Sequence, residues 1–252
     1  MSDKDLLFAY LLRLGDNSLI LGQRLSAWCG HGPVLEQDIA LTNIALDLFG
    51  QTRSLLQYAA ILEGKGRTED DLAFLRDVRD FRNCLLVEHP NVDFAYTIAR
   101  QFFFDTYHFF LLEQLQDHSD AQLSAIAKKS LKEVTYHLRF SSEWMIRLGD
   151  GTAVSHEKLQ TAVDELWIYT GELYTPDELD LELAARDLAP DLKQLENLYL
   201  RKVRDIFDTA TLSLPDTDFM QTGGKQGRHT EHLGHLLSDM QFLQRAYPGL
   251  TW

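Results

Sequence analysis

The chain has 252 residues, 45% of them hydrophobic and 11% aromatic, which is enough apolar surface for a large core and too much for a disordered chain. A formal net charge of −14 excludes a nucleic-acid binder, which needs a basic footprint to neutralise phosphates. Two cysteines, Cys29 and Cys84, exclude a disulfide scaffold or a zinc knuckle, and no apolar run reaches the roughly 18–20 uncharged residues of a membrane span.

Amphipathic segments follow one another, separated by Gly, Pro, Asn and Ser. The first runs from about 3 to 28 and closes at Gly30-His31-Gly32-Pro33. From 34 to 63, Ile39, Leu41, Ile44, Ala45, Leu48 and Phe49 keep a helical apolar spacing up to Gly64 and Gly66. Thr68 with Asp71 three residues on predicts a capping box opening a helix over 69–88, broken by Pro90-Asn91. Helices are expected over 92–116 and 120–147. After Gly149-Asp150-Gly151 they are expected over 155–173, 176–186, 190–212 and 228–246, with Ser155 and Pro176 as start signals. Thr222-Gly223-Gly224-Lys225 reads as a loop. No run of alternating strands and no repeat period appears, which counts against a solenoid. Two pairs of long helices joined by a shorter crossover match an all-α, ferritin-like four-helix bundle with additional C-terminal helices. The expected organisation is a single domain over 1–252, with a bundle core over about 3–149 and the additional helices over about 155–246.

Such a bundle can hold two irons when Glu-x-x-His recurs on two helices and a Glu stands on each of two others, because the three-residue spacing puts both ligands on one face. None of the nine histidines has a Glu three residues before it. His137 has Val134 there, with Glu133 one residue too early; Leu48 and Gln51 share that spacing on the second long helix. Asp105-x-x-His108 is the one acidic match. The residues therefore favour Asp105, His137 and Gln51 as hydrogen-bonding groups inside the bundle. His229-x-x-His232-x-x-His235 lacks an acidic or sulfur ligand at the same spacing and reads as a polar helix terminus or an interface contact rather than a metal site. Arg76, Arg79 and Arg82, at three-residue steps, form a basic stripe in an acidic chain. It is suited to a phosphorylated ligand or an acidic partner, or else to local pairing with Asp77 and Asp80. No phosphate loop, dinucleotide fingerprint or nucleophile elbow is present.

Arg13-Leu14-Gly15-Asp16-Asn17, Gln23-Arg24-Leu25, Trp28-Cys29-Gly30-His31, Leu46-Asp47-Leu48-Phe49-Gly50-Gln51, Tyr136-His137-Leu138-Arg139-Phe140, Thr222-Gly223-Gly224-Lys225 and His229-Thr230-Glu231-His232-Leu233-Gly234 occur in that order. Together, from Tyr10 to Trp252, they resemble the C-subunit family of phenylacetyl-CoA epoxidase (ring 1,2-monooxygenase) complexes of aerobic phenylacetate degradation. The resemblance implies a non-catalytic, structural subunit that supports a related catalytic A subunit, which holds the di-iron centre. It also implies a bridging B subunit and a reductase with FAD and an iron–sulfur centre, and a complex that consumes phenylacetyl-CoA, dioxygen and NADPH. Leu48 and Val134 would then stand at the two Glu-x-x-His carboxylate positions and Gln51 at one histidine, with Asp105 and His137 retained: a degenerate metal site and no catalytic residue. The resemblance also implies coenzyme A ester contacts at Asp80, Phe81, Arg82 and Asn83, beside Arg79 of the stripe, and at Leu181, Glu182 and Leu183. In isolation the chain has the option of a homodimer. The opening Met1-Ser2-Asp3-Lys4-Asp5 lacks the order of a signal peptide, so a cytoplasmic protein with no membrane attachment is expected. The alternative is an active di-iron oxygenase or ferroxidase with Asp47, Asp105, Glu133 and His137 as improvised ligands; an unrelated helical adaptor is a third class.

Overall fold

A computed structural model describes residues 1–250; Thr251 and Trp252, the last two of the expected single domain and the end of the resembling stretch, lie outside the described residues. Every regular element among the described residues is helical. Helix α1 spans Asp3–Ser26, α2 Leu35–Glu63, α3 Glu69–Phe74, α4 Phe94–Leu115 and α5 Ala121–Gly149; α6 spans Ala153–Leu166, α7 Gly171–Tyr174, α8 Glu178–Ala185, α9 Leu192–Ala210 and α10 Glu231–Ala246. None is long and apolar enough to cross a membrane.

Local chemistry sets most of these ends. Ser2 and Asp5 form a capping box on α1, and Thr68 with Asp71 forms the expected one on α3, each satisfying amides that an open helix end leaves unbonded. Gly64 closes α2 with φ 70°, in the left-handed region that glycine enters without Cβ strain. The expected start signals were displaced slightly: Thr152 caps α6, with Ser155 as its capping-box partner, and Asp177, just after Pro176, caps α8.

The chain divides into two compact units. One comprises Met1–Pro90 together with the chain from Gly223, and is built on α1 against α2. Buried Leu6, Leu11, Leu21 and Leu25 of α1 and Ile44, Leu48 and Leu56 of α2 form its core, each burial contributing about 1.5–3 kcal/mol. A Cβ at Gly15 or Gly22 would lie 2.8 Å from Leu56 or 2.9 Å from Phe49, so these glycines set how closely α2 approaches. Helix α10 packs on α3 in this unit. The other unit, Asn91–Thr222, is built on α4 against α5, with α6 and α9 packed on both; Phe102, Phe103 and Phe207 cluster in its core. The additional helices therefore do not form a group of their own. Helices α6 to α9 join α4 and α5, whereas α10 belongs with α1 to α3.

The expected helix over 69–88 is corrected. It stops at Phe74, and a short 3₁₀ turn (Val78–Asp80), extended chain and a second 3₁₀ turn (Leu85–Glu88) follow. Arg76 is the reason: its Nε donates back to the Leu72 carbonyl and its guanidinium turns inward to α1.

Candidate functional site

Two buried polar clusters carry the chemistry of this chain, one in each unit. In the first unit, Asp16 and Asn17 sit mid-helix on α1, where an apolar neighbourhood would expel them unless paired. Both Asp16 carboxylate oxygens accept from the Arg76 guanidinium, one at 3.0 Å, and Oδ2 also accepts the Arg82 amide at 2.8 Å. Asn17 Oδ1 accepts the Cys84 amide at 2.8 Å. The Arg76 guanidinium carbon also lies 4.3 Å from the centre of the Phe81 ring. Two adjacent side chains of α1 thus hold the irregular stretch 76–84.

Glu88, fully buried, completes this cluster. Its Oε1 accepts from Asn83 Nδ2 at 2.9 Å and lies 2.6 Å from His229 Nδ1, while Oε2 accepts from the Thr230 amide at 2.8 Å and the Thr230 hydroxyl at 2.6 Å. All four favourable positions around a carboxylate are taken. His229 Nε2 lies 3.0 Å from the Phe81 carbonyl, and Arg24 donates to the Glu88 carbonyl at 2.9 and 2.6 Å. The glycines of the 223–227 loop follow from this contact: a Cβ at Gly224 would stand 2.2 Å from the Asn83 carbonyl, and one at Gly227 2.4 Å from that of Arg79. Backbone meets backbone there.

The arginine stripe does not form. Arg76 is buried against Asp16, Arg79 is exposed, and half-buried Arg82 donates from Nη1 to the carbonyls of Arg79 and Phe81, at 2.6 and 2.8 Å. Nor do these arginines pair with Asp77 and Asp80: Asp77 bonds Arg245 at 2.8 Å, and Asp80 caps its own turn through the Asp77 amide. Among the residues expected to meet a coenzyme A ester, Phe81 and Asn83 are enclosed, leaving Arg79, Asp80 and Arg82 reachable from solvent. Leu181, Glu182 and Leu183 lie on α8 of the other unit, with Leu181 exposed, Glu182 half-buried and paired with Arg186, and Leu183 buried. The three histidines also separate. His229 precedes α10 and has a buried ring, His232 lies 5.8 Å from the His89 ring, and His235 is exposed.

In the second unit, Asp105 on α4 is fully buried. Its Oδ1 accepts from Gln101 Nε2 at 2.6 Å and its Oδ2 from Ser141 Oγ at 2.8 Å. Burial pushes its carboxyl up to about 6, against the opposing influence of neighbouring His137. The same burial, with His137 adding to it, holds His108 down at about 3, so its imidazole is neutral near pH 7; its Nδ1 has no hydrogen-bond partner. The structure thus brings Asp105, His108 and His137 together. Val134, one turn before His137, is wholly buried and apolar. In the first unit, Leu48 is likewise enclosed, with buried Gln51 three residues on. Glu133 is half-buried beside Lys129, 4.0 Å away.

This donor set does not fit a di-iron centre. Val134 and Leu48 offer no oxygen, both oxygens of Asp105 are engaged by neutral donors, and among the described residues no three His, Cys, Asp or Glu side chains are placed to hold one metal ion. The residues that reasoning from sequence missed are Asp16, Asn17, Glu88 and Thr230. For the first two a signal existed: an Asp-Asn pair inside the apolar run of a helix has to be bonded to something.

A family model described as "Phenylacetic acid catabolic protein" matches residues 1–252. The chain is 52% identical over 246 residues to the C subunit of the 1,2-phenylacetyl-CoA epoxidase of Escherichia coli (strain K12), covering 98% of this chain and 99% of that one. The fold class is accordingly all-α and ferritin-like, and the chain belongs to the phenylacetic acid catabolic protein family.

Proposed function

We propose that this chain is the C subunit of a phenylacetyl-CoA epoxidase of phenylacetate degradation, a non-catalytic scaffold for a separate di-iron A subunit. The observation that carries the reading is identity of 52% along essentially the whole of both chains. The ligand set favours the scaffold over an active oxygenase or ferroxidase, because Asp105 already has its donors and Val134 offers no oxygen. Iron, FAD and the iron–sulfur centre then belong to partner chains, with a B subunit and a reductase completing a cytoplasmic complex. Within this chain, buried polar groups fix backbone position, and the exposed guanidinium of Arg79 with the partly exposed one of Arg82 provides the charge for a coenzyme A phosphate.

The test is co-expression with the A subunit, purification on a tag carried by this chain, and an iron count on each chain. The expected result is co-purification, with iron and turnover only where the A subunit is present. Two irons per isolated chain surviving desalting would overturn the scaffold reading. Arg79→Ala with Arg82→Ala should weaken acyl-CoA binding by the complex in isothermal titration while leaving co-purification intact. The reverse pattern would assign the arginines to the contact between the two proteins.

A further inference from the structure

The first unit holds an open groove of about 480 Å³ between α1, α2 and α3, apart from its buried polar cluster. That size falls within the ~300–1,000 Å³ of small-molecule sites. Its floor is apolar. Leu19, Leu56 and Ala73 are buried there, and Thr52 beside them commits its hydroxyl to the Leu48 carbonyl at 2.9 Å. Two half-buried rings, Phe49 and Phe74, line it as well. Phe49 reaches α1 because Gly22 has no side chain; a Cβ there would stand 2.9 Å from the ring.

Opposite charges stand on the rim. Arg53 is exposed, and its Nε lies 3.4 Å from Glu69 Oε1, which also accepts from Gln57 Nε2 at 2.7 Å. Glu69 thereby orients the guanidinium and leaves its two terminal nitrogens unbonded among the described residues. Asp70, the next residue, is an exposed carboxylate on the same groove, with no hydrogen bond or ion pair among the described residues.

We propose that this groove binds an α-amino acid with an aromatic side chain. The ring lies against Phe49 and Phe74 over the aliphatic floor, where aromatic pairing adds to burial. The carboxylate accepts two parallel hydrogen bonds from the Arg53 fork, and the ammonium pairs with Asp70. Charge selects this class. An aromatic acid without an amine meets Asp70 as a like charge, and an amine without an acid meets Arg53 as one. Glu69 also ties the guanidinium to the residue beside Asp70, so cation and anion are neighbours, as they are on a single α-carbon.

A ligand this small is expected at a Kd of about 0.1–1 mM. Isothermal titration of the full chain reads it with three probes that share a phenyl ring: L-phenylalanine, 3-phenylpropanoate (no ammonium) and 2-phenylethylamine (no carboxylate). Phenylalanine should bind about fivefold more tightly than either, the level of an exposed ion pair. Asp70→Asn should weaken phenylalanine by about the same factor and leave 3-phenylpropanoate unchanged or tighter. Arg53→Gln should weaken phenylalanine likewise and leave 2-phenylethylamine unchanged or tighter. Both positions are exposed, so an unchanged melting temperature in either variant separates a lost contact from a lost fold. No binding of phenylalanine well above the expected Kd overturns the proposal. So does equal affinity for either single-charge probe, or a phenylalanine affinity unchanged in both variants.

Discussion

The two buried polar clusters solve the same physical problem in opposite ways. In the first unit, the Asp16 and Glu88 carboxyl groups are saturated mostly by donors from stretches far apart in sequence: Arg76 and Arg82 for one, His229 and Thr230, joined by nearby Asn83, for the other. In the second, Asp105 draws its hydrogen bonds from Gln101 and Ser141 on α4 and α5 alone, keeps a raised pKa, and sits near an imidazole with an unbonded nitrogen. The difference teaches what each cluster is for. Full saturation at long sequence separation fixes a backbone; a sparsely bonded acid–imidazole group between two helices leaves its protonation responsive to pH.

The largest expected effect breaks the first cluster. Arg76→Ala leaves Asp16 buried without its cation and should cost about 3–5 kcal/mol, read by guanidinium chloride denaturation. A loss below about 1 kcal/mol, the level of an exposed pair, would mean that solvent reaches Asp16. Glu88→Gln is smaller. It presents an amide donor where Thr230 or His229 also donates, and should cost about 1–3 kcal/mol. Local opening around Thr230 should appear with it, as faster exchange of that amide; slow exchange in the variant would show that Glu88 is not what holds the segment.

The second cluster is best sharpened by pH. The folded pKa of Asp105, about 6, lies above its ordinary 3.8, so its contribution is complete below pH 3.8 and lost as pH rises through 6. The folded pKa of His108, about 3, lies below its ordinary 6.5, so its contribution is complete above pH 6.5 and lost as pH falls toward 3. Between about pH 4 and 6 the two oppose each other proton for proton. Asp105→Asn removes one arm, and the variant should lose up to ~1.4 kcal/mol of stability per pH unit of acidification there, relative to wild type. Parallel stability curves for the two proteins would place the acid response elsewhere.

Most of the fold was legible because long amphipathic helices announce their period and their caps. α1, α2, α4, α5 and α9 lie within about three residues of the expected limits, and the Thr68–Asp71 box was in place. The stretch after Phe74 was not legible. Arg76, Arg79 and Arg82 do have helical spacing, but Asp16 and Asn17, some 60 residues earlier, bond Arg76 and the amides of Arg82 and Cys84, and a tertiary contact of that kind overrides local propensity. For the candidate site, the absence of a Glu three residues before any histidine could be read directly from spacing. The role of Glu88 could not, because three of its four donor bonds come from His229 and Thr230, more than 140 residues away.

The clasp between Glu88 and the His229–Thr230 pair also has a bearing on the order of events during synthesis. The unit containing Glu88 is interrupted by Asn91–Thr222 and resumes at Gly223, so α1 and α2 leave the ribosome long before the chain that satisfies this carboxylate exists. The continuous unit has all its own residues first and can close as soon as α9 emerges. From the emergence of Glu88 until that of Thr230, the nascent first unit carries an acid waiting for its donors, together with the exposed Leu35, Leu46 and Ile61 of α2, and that interval is when the growing chain is most open to capture by a chaperone or by a neighbour on the same message.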